Sequence, residues 1–276
     1  MFWAIISPAK TKKQLTHFYM IPDIFWNEIE SLIPKKRSTV GRPLKDPKSI
    51  FYGILYILKS GSQWRFLPAE YGKRSTVHET FMRWIRMGIF EKIMEKMKQL
   101  YEMNLGKFGI WYAIDGSSSK APFAGNWGGK NPTDRAKIGV KKHIIIDQRG
   151  APLAVSVGPA NQHDSKHFAQ IFEKFCSYSN NQLSIIAADS AYDSKKLFNL
   201  CKENNYILLA ATNKRRSKDP INPIRPSHRW LVERTFGWLN WFRGLKTCWS
   251  KSQHAFLAFC QLACSLQLFK MSAISG

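Results

Sequence analysis

The spacing of the apolar residues changes at Ile110, and that change constrains the fold more than any other feature. Upstream the period is helical. Phe25, Trp26, Ile29, Leu32 and Ile33 recur at helical spacing until Pro34 stops them. A second helix is expected over residues 50–59, with Ile50, Ile54, Leu55 and Leu58 inward and Ser60-Gly61 ending it. Downstream come short apolar or alternating runs at 110–114, 143–146, 153–157, 185–188 and 206–209, each of strand length. Helical segments at 164–175 and 193–203 separate the later ones, and a basic linker (213–226) leads to a long helix from about Ser227. Strands in a meander, then strands alternating with helices, predict an α/β fold: a mixed sheet flanked by helices, preceded by an all-α region.

Within the helical part, Ser75 is placed to N-cap a helix whose first turn carries Glu79. Val77, Phe81, Trp84 and Ile85 form its apolar stripe, and Arg83 and Arg86 lie off it. A Gly-containing connection before a capped, basic helix fits a helix-turn-helix that reads DNA; a plain helical packing module fits the same pattern.

The chain's 276 residues carry a formal charge of +23, yet 44% are apolar and ten are Trp, which excludes a disordered polycation. Residues 1–110 hold 19 basic and 9 acidic groups, and residues 111–276 hold 23 and 10, so both halves can face a polyanion. Nucleic acid is the first such partner and an anionic membrane surface the second. The apolar run 2–6 is too brief for a signal peptide, and 254–269 is interrupted by Gln261, Ser265 and Gln267, so it reads as a buried helix, with no membrane partner. Five cysteines without a C-x-x-C pair fit a reducing, cytoplasmic location.

Against so basic a background, acids at the ends of apolar strands need a reason. Asp115 ends WYAID before Gly116-Ser117, and Asp189 ends IIAAD before Ser190. Unpaired charges there are expensive, and two side by side repel; a divalent cation with a preference for hard oxygen ligands, magnesium or manganese, resolves both. Glu233, in HRWLVERTFGWLNWFRGL, is the third candidate, on a helix. Each acid alone could equally be a cap, a turn residue or a surface ion-pair partner. Asp193 and Asp164 each read as the N-cap of the helix that follows, and Asp147 as a turn acid. The ordered triple, Asp on the first strand, Asp on a later strand and Glu on a following helix, is the order of a ribonuclease H-like site in which two metals clamp a phosphodiester displacement.

The chain resembles the DDE transposases of bacterial insertion sequences. The likeness runs from about Leu15 to Leu268, through GILYILKSGSQWRFLP, STVHETFMRW, AIDGSSSKAP, DRAKIGVKKHIIIDQRGAPL, ANQHDSKHF, AADSAYDS and RWLVERTFGWLNWFRGL. It implies a helical DNA-binding domain (15–105), a ribonuclease H-like catalytic domain (106–276) and an unassigned extension (1–14). It implies Asp115, Asp189 and Glu233 as catalytic and metal-binding residues holding two Mg2+ or Mn2+ ions. The family's Tyr-x-x-Arg-x-x-x-Glu-x6-Lys/Arg signature keeps Arg229 and Glu233, with Pro226 at the Tyr position and Asn240 at the late basic one, where Arg243 or Lys246 could stand in. The implied activity is binding of terminal inverted repeats, cleavage of DNA at the element ends and strand transfer, with double-stranded DNA as partner and a homodimer or higher synaptic complex as assembly, in a bacterial, nucleoid-associated setting. A catalytically decayed derivative and a nuclease without strand transfer are the alternatives.

Other cations expected on DNA are Arg135, Lys137, Lys141 and Lys142 between the first two strands, Lys214, Arg215 and Arg216 in the linker, and Arg229, Arg83 and Arg86. His163, four residues before His167, is a candidate for the site, with packing as the favoured alternative; Trp238 and Trp241 read as core rather than as stacking platforms.

Overall fold

The computed structural model describes residues 23–34, 45–106, 109–176, 183–211 and 226–274. α1 (Asp23–Ile29) buries Phe25, Trp26 and Ile29. α2 (Pro47–Ser60) begins where Pro47 needs no backbone partner and the Asp46 carboxylate accepts the Lys48 and Ser49 N–H groups. It ends on Gly61 in the left-handed region, φ 67°. α3 (Arg74–Arg86) starts two residues earlier than the Ser75 cap implies: Lys73 holds the cap position without a side-chain bond, and Ser75 lies inside the first turn. Residues 61–73 between α2 and α3 include two 3-10 turns, Trp64–Phe66 and Ala69–Tyr71. That link is longer than the roughly 3–4-residue turn of a compact helix-turn-helix. Arg83 and Arg86 are exposed in the last turn of α3. α4 (Ile89–Leu105) completes the helical layer.

The expected strands all form. β1 (Trp111–Lys120), β3 (Ile138–Asp147) and β4 (Pro152–Pro159) make an antiparallel meander, with two-residue β2 (Gly129–Lys130) continuing the line of β4 along β3. β5 (Ser184–Ala188) runs parallel to β1, and β6 (Tyr206–Ala210) parallel to β5. The order β4-β3-β1-β5-β6, three antiparallel strands followed by two parallel ones, is that of a ribonuclease H-like sheet. α5 (Asp164–Cys176) and α6 (Lys195–Glu203) supply the crossovers. Asp193 precedes α6 by two residues, so Ser194 rather than Asp193 is its N-cap; Asp193 instead closes the 3-10 turn Ser190–Tyr192.

α7 (Pro226–Asn240), α8 (Arg243–Lys246) and α9 (Gln253–Ile274) cover the opposite face from α5. α9 is long and apolar enough to cross a membrane by length and composition, but it is the axle of the core: Leu262, Ala263 and Cys264 are fully buried. Phe259 stacks on Phe81 of α3, and Phe269 meets Phe25 of α1 edge-on. One apolar cluster therefore runs from the N-terminal helices through α9 into the sheet.

Candidate active site

Two adjacent strands carry the two aspartates. Ala113 pairs with Ala187 at the end of the parallel β1–β5 ladder, and both chains stay extended for two more residues to Asp115 and Asp189. The register thus sets the two carboxylates side by side on strands about 4.8 Å apart. Asp115 is not at the end of its strand, as the sequence suggested. β3 continues the ladder to Lys120↔Gly139, so Asp115 sits in mid-strand where only the parallel pairing stops. Its carboxylate accepts the Gly116 N–H at 2.7 Å, and Asp189 accepts the Ala191 N–H at 2.9 Å.

Alternation along β1 sorts the neighbours onto two faces. Asp115 shares parity with Ser119, whose hydroxyl donates to the Leu245 carbonyl of α8, so Asp115 faces the α7–α8 layer. α7 is fixed there by Thr235, which donates to the Gly150 carbonyl, and by Arg234, which donates to the Arg149 carbonyl while lying 4.6 Å from the Trp230 ring and 4.7 Å from Trp238. Val232, Phe236 and Leu239 point inward, and Glu233 lies on the exposed side of the helix. Among the described residues, no three His, Cys, Asp or Glu side chains are gathered closely enough to hold a metal ion. The register brings the two aspartates together, and Glu233 is not gathered with them into a group of three. Mutual repulsion between carboxylates opposes that closure unless a cation offsets it.

Behind Asp115, on the α5 face, stands a cluster that sequence reasoning missed. A Cβ on Gly116 would lie 2.8 Å from the His143 ring and 3.3 Å from Asp164, so glycine there lets both pack against the strand. Asp164 is not simply a cap: its Oδ1 accepts from His143 Nε2 at 2.9 Å and from Lys141 Nζ at 2.8 Å. Burial alone would raise its pKa, but the bonds from His143 and Lys141 outweigh it and hold the carboxyl well below the usual range. The capping role falls to exposed His163, whose Nδ1 accepts the Ser165 N–H at 3.3 Å. His167 stacks on His143 at 4.4 Å, and burial, aided by His143, pushes its pKa down to about 4. Asp147 is the expected turn acid, accepting from the Arg149 and Ala151 N–H groups, and also from Tyr101 Oη at 2.7 Å.

Tyr192 tests the fit to a cation. Its hydroxyl is buried with no hydrogen-bond partner among the described residues, and its pKa is raised by burial and then by the charges of Asp164, Asp115 and Asp189. At Asp115 and Asp189 the donors are hard carboxylate oxygens. Asp115 and Asp189 fit a divalent ion such as magnesium.

The expected DNA cations divide. Arg135 and Lys137 are exposed in the turn between β2 and β3, where Arg135 and Ala136 adopt φ values of 50° and 57°. Lys141 is engaged with Asp164. Lys142 is corrected: it is 1% exposed and cannot reach a phosphate. Being adjacent to Lys141 on a strand, it points to the opposite face, where its Nζ donates to Ser119 Oγ (2.7 Å), the Leu245 carbonyl (3.0 Å) and Asn240 Oδ1 (3.4 Å). Arg243 and Lys246 are exposed on α8. Trp241 is corrected too, being 64% exposed rather than core. Lys214, Arg215, Arg216 and the Arg229 side chain lie outside what the structure describes.

Strand order and paired aspartates define the class, a ribonuclease H-like protein with acids where the parallel strands end. A family described as "Transposase DDE domain" matches residues 106–268, and one described as "Putative transposase of IS4/5 family" matches residues 21–94. The chain belongs to the DDE transposase family. It is 31% identical over 150 residues to a Burkholderia cepacia protein named "Putative transposase for insertion sequence element IS402", covering 51% of this chain and 69% of that one. It is 30% identical over 123 residues to "Insertion element IS402 uncharacterized 16.2 kDa protein" from the same organism, covering 41% and 81%. A piggyBac transposase synaptic complex with hairpin DNA aligns over 96% of this chain and 77% of that one, at 10% identity and a TM-score of 0.42.

Proposed function

We propose that this chain is an active insertion-sequence transposase that binds the terminal inverted repeats of its element, cleaves DNA at the ends and transfers the freed strands to a target. The observation that carries the reading is the register that sets Asp115 beside Asp189 at the end of the parallel β1–β5 pair. In this reading Asp115, Asp189 and Glu233 hold two magnesium or manganese ions, with α7 bringing Glu233 over the same face. Bound there, the ions supply Lewis-acid polarisation of the scissile phosphate and an acidified water. The chain's own residues fix the geometry: the Gly116 and Ala191 N–H groups orient the two carboxylates. No Ser or Tyr nucleophile is needed.

Exposed Arg135, Lys137, Arg83, Arg86, Arg243 and Lys246 give the DNA contacts of this reading, together with Lys214, Arg215, Arg216 and Arg229 of the linker and α7 start; Lys141 would have to leave Asp164 to join them. Residues 15–105 are the DNA-recognition part and 106–276 the catalytic part, working as a homodimer or larger assembly because two ends must be paired. The test is a strand-transfer assay on the element's own ends with magnesium or manganese, comparing wild type with Asp115→Asn, Asp189→Asn and Glu233→Gln. Each substitution is expected to abolish cleavage while leaving end binding intact. Full activity in any one removes that residue from the triad, and end binding without cleavage in the wild type points to a decayed derivative.

A further inference from the structure

Where α2, α7 and α8 meet, a cavity of about 480 Å3 opens to solvent, with Ser60 and Gly61 on one side and Trp241, Arg243, Lys246 and Trp249 on the others. Its composition is unusual for a protein surface. Trp241 and Trp249 are 64% and 42% exposed, and no carboxylate lines the cavity. Among the described residues Arg243 and Lys246 have no acidic partner. Large aromatic faces left in water beside unneutralised cations lose free energy that a ligand with a flat π-face and a negative charge would recover. The volume suits one small ligand of that kind.

The walls are rigid. A Cβ on Gly61 would lie 2.9 Å from Arg243 Cβ, and one on Gly244 would lie 2.9 Å from the Leu58 carbonyl oxygen, so α2 and α8 touch backbone to backbone through reciprocal glycines. The far wall is tied to the catalytic strand: Cys248 N–H donates to the Lys120 carbonyl at 2.7 Å, and Trp249 packs on Phe123 at 5.7 Å. Lys120 is five residues beyond Asp115 on β1, about 17 Å along an extended strand.

We propose that this groove is a binding subsite for an unpaired nucleotide of a DNA strand, its base against Trp241 and Trp249 and its phosphate against Arg243 and Lys246. A base inside a duplex has both faces covered by its neighbours, so only an unpaired or extruded one can use the indoles. The proposal rests on the reading of the chain as a protein that acts on DNA, and adds to it a preference for strand ends that are open rather than paired.

The experiment uses the full chain in a chelator, so that no cleavage occurs, and measures fluorescence anisotropy with a blunt duplex and with the same duplex carrying an unpaired oligothymidylate tail. Wild type should bind the tailed probe about tenfold more tightly, the size expected from stacking one base. Trp241→Ala and Trp249→Ala should each remove most of that preference and leave blunt-duplex affinity unchanged, and Trp241→Phe should retain it. Equal affinity of wild type for the two probes overturns the proposal, as does a parallel loss on both probes in the tryptophan variants. Trp241→Ala decides the matter should Trp249→Ala disturb the packing against Phe123, since Trp241 is mostly in solvent. Asp115→Asn separates the two readings: normal cleavage by that variant would remove the triad but leave the tail preference standing.

Discussion

Replacing Tyr101 by Phe removes one buried hydroxyl and keeps the ring, which makes its effect calculable. Tyr101 Oη donates to Asp147 Oδ2 at 2.7 Å, joining α4 to the end of β3, and both residues are 0% exposed. Phe fills the same space, so no cavity term enters. What is lost is a hydrogen bond to a buried carboxylate, worth about 2 kcal/mol at neutral pH, or roughly 4–8 °C in Tm for a chain of this size. Burial pushes the Asp147 carboxyl above its ordinary value, while the Tyr101 bond pulls it down. A carboxyl raised on folding destabilises the folded state as pH rises from the unfolded pKa through the folded one. Removing the Tyr101 hydroxyl raises the folded value further, so the penalty should be full near pH 7 and shrink toward about 1 kcal/mol as Asp147 takes up its proton. Urea denaturation of wild type and Tyr101→Phe across this pH range, repeated on an Asp147→Asn background, measures the coupling directly. An equal cost on the Asp and Asn backgrounds would refute the claim that Asp147 is held as a charged acceptor.

Buried His167 makes stability fall as pH drops: it stays neutral in the fold down to about 4 but takes a proton near 6.5 when unfolded. About 3 kcal/mol should be lost over that interval, and His167→Gln should flatten the curve in a thermal-melt series against pH. Gly116→Ala should lower Tm and DNA nicking together, because its Cβ would stand 2.8 Å from the His143 ring and push the strand that carries Asp115; a variant with wild-type melting and nicking would show that the α5 face has slack. Neutralising Arg135 and Lys137 should reduce the slope of log affinity against log salt by about 2, whereas Lys142→Met should leave the slope unchanged. A changed slope for Lys142→Met would mean that its burial gives way when DNA binds.

The sequence made the strands and their order legible because each short apolar run is bounded by turn residues, and the acids stood out against a basic chain. Position along the strand was less legible. Asp115 looked terminal because Gly116-Ser117-Ser118 resembles a turn, but β3 supplies ladder partners that local sequence does not reveal. Lys141 and Lys142 read as one basic tract, yet adjacent strand residues face opposite ways: one meets Asp164, the other is sealed under α8. The Asp164–His143–Lys141 group draws on α5 and β3, which are 21 residues apart at the closest, and only the register joins them. One signal for it was present, the alternation K-x-H in Lys141 and His143 beside a glycine-bearing strand, although periodicity alone names no partner.

The placement of α9 has a consequence for how the protein comes into being. Synthesis proceeds from the N-terminus, yet the rings of Phe25, Trp64 and Phe81 in the earliest helical segments each meet, as well as their near neighbours, a phenylalanine of α9 about 180 to 240 residues later in the chain. A nascent chain stopped before α9 therefore carries helices with an open apolar side and a sheet without the helix that packs on it. Premature termination or a frameshift upstream of residue 253 should yield material for proteolysis rather than a truncated DNA-binding competitor. The folding order thus acts as a completeness check on each copy of the protein.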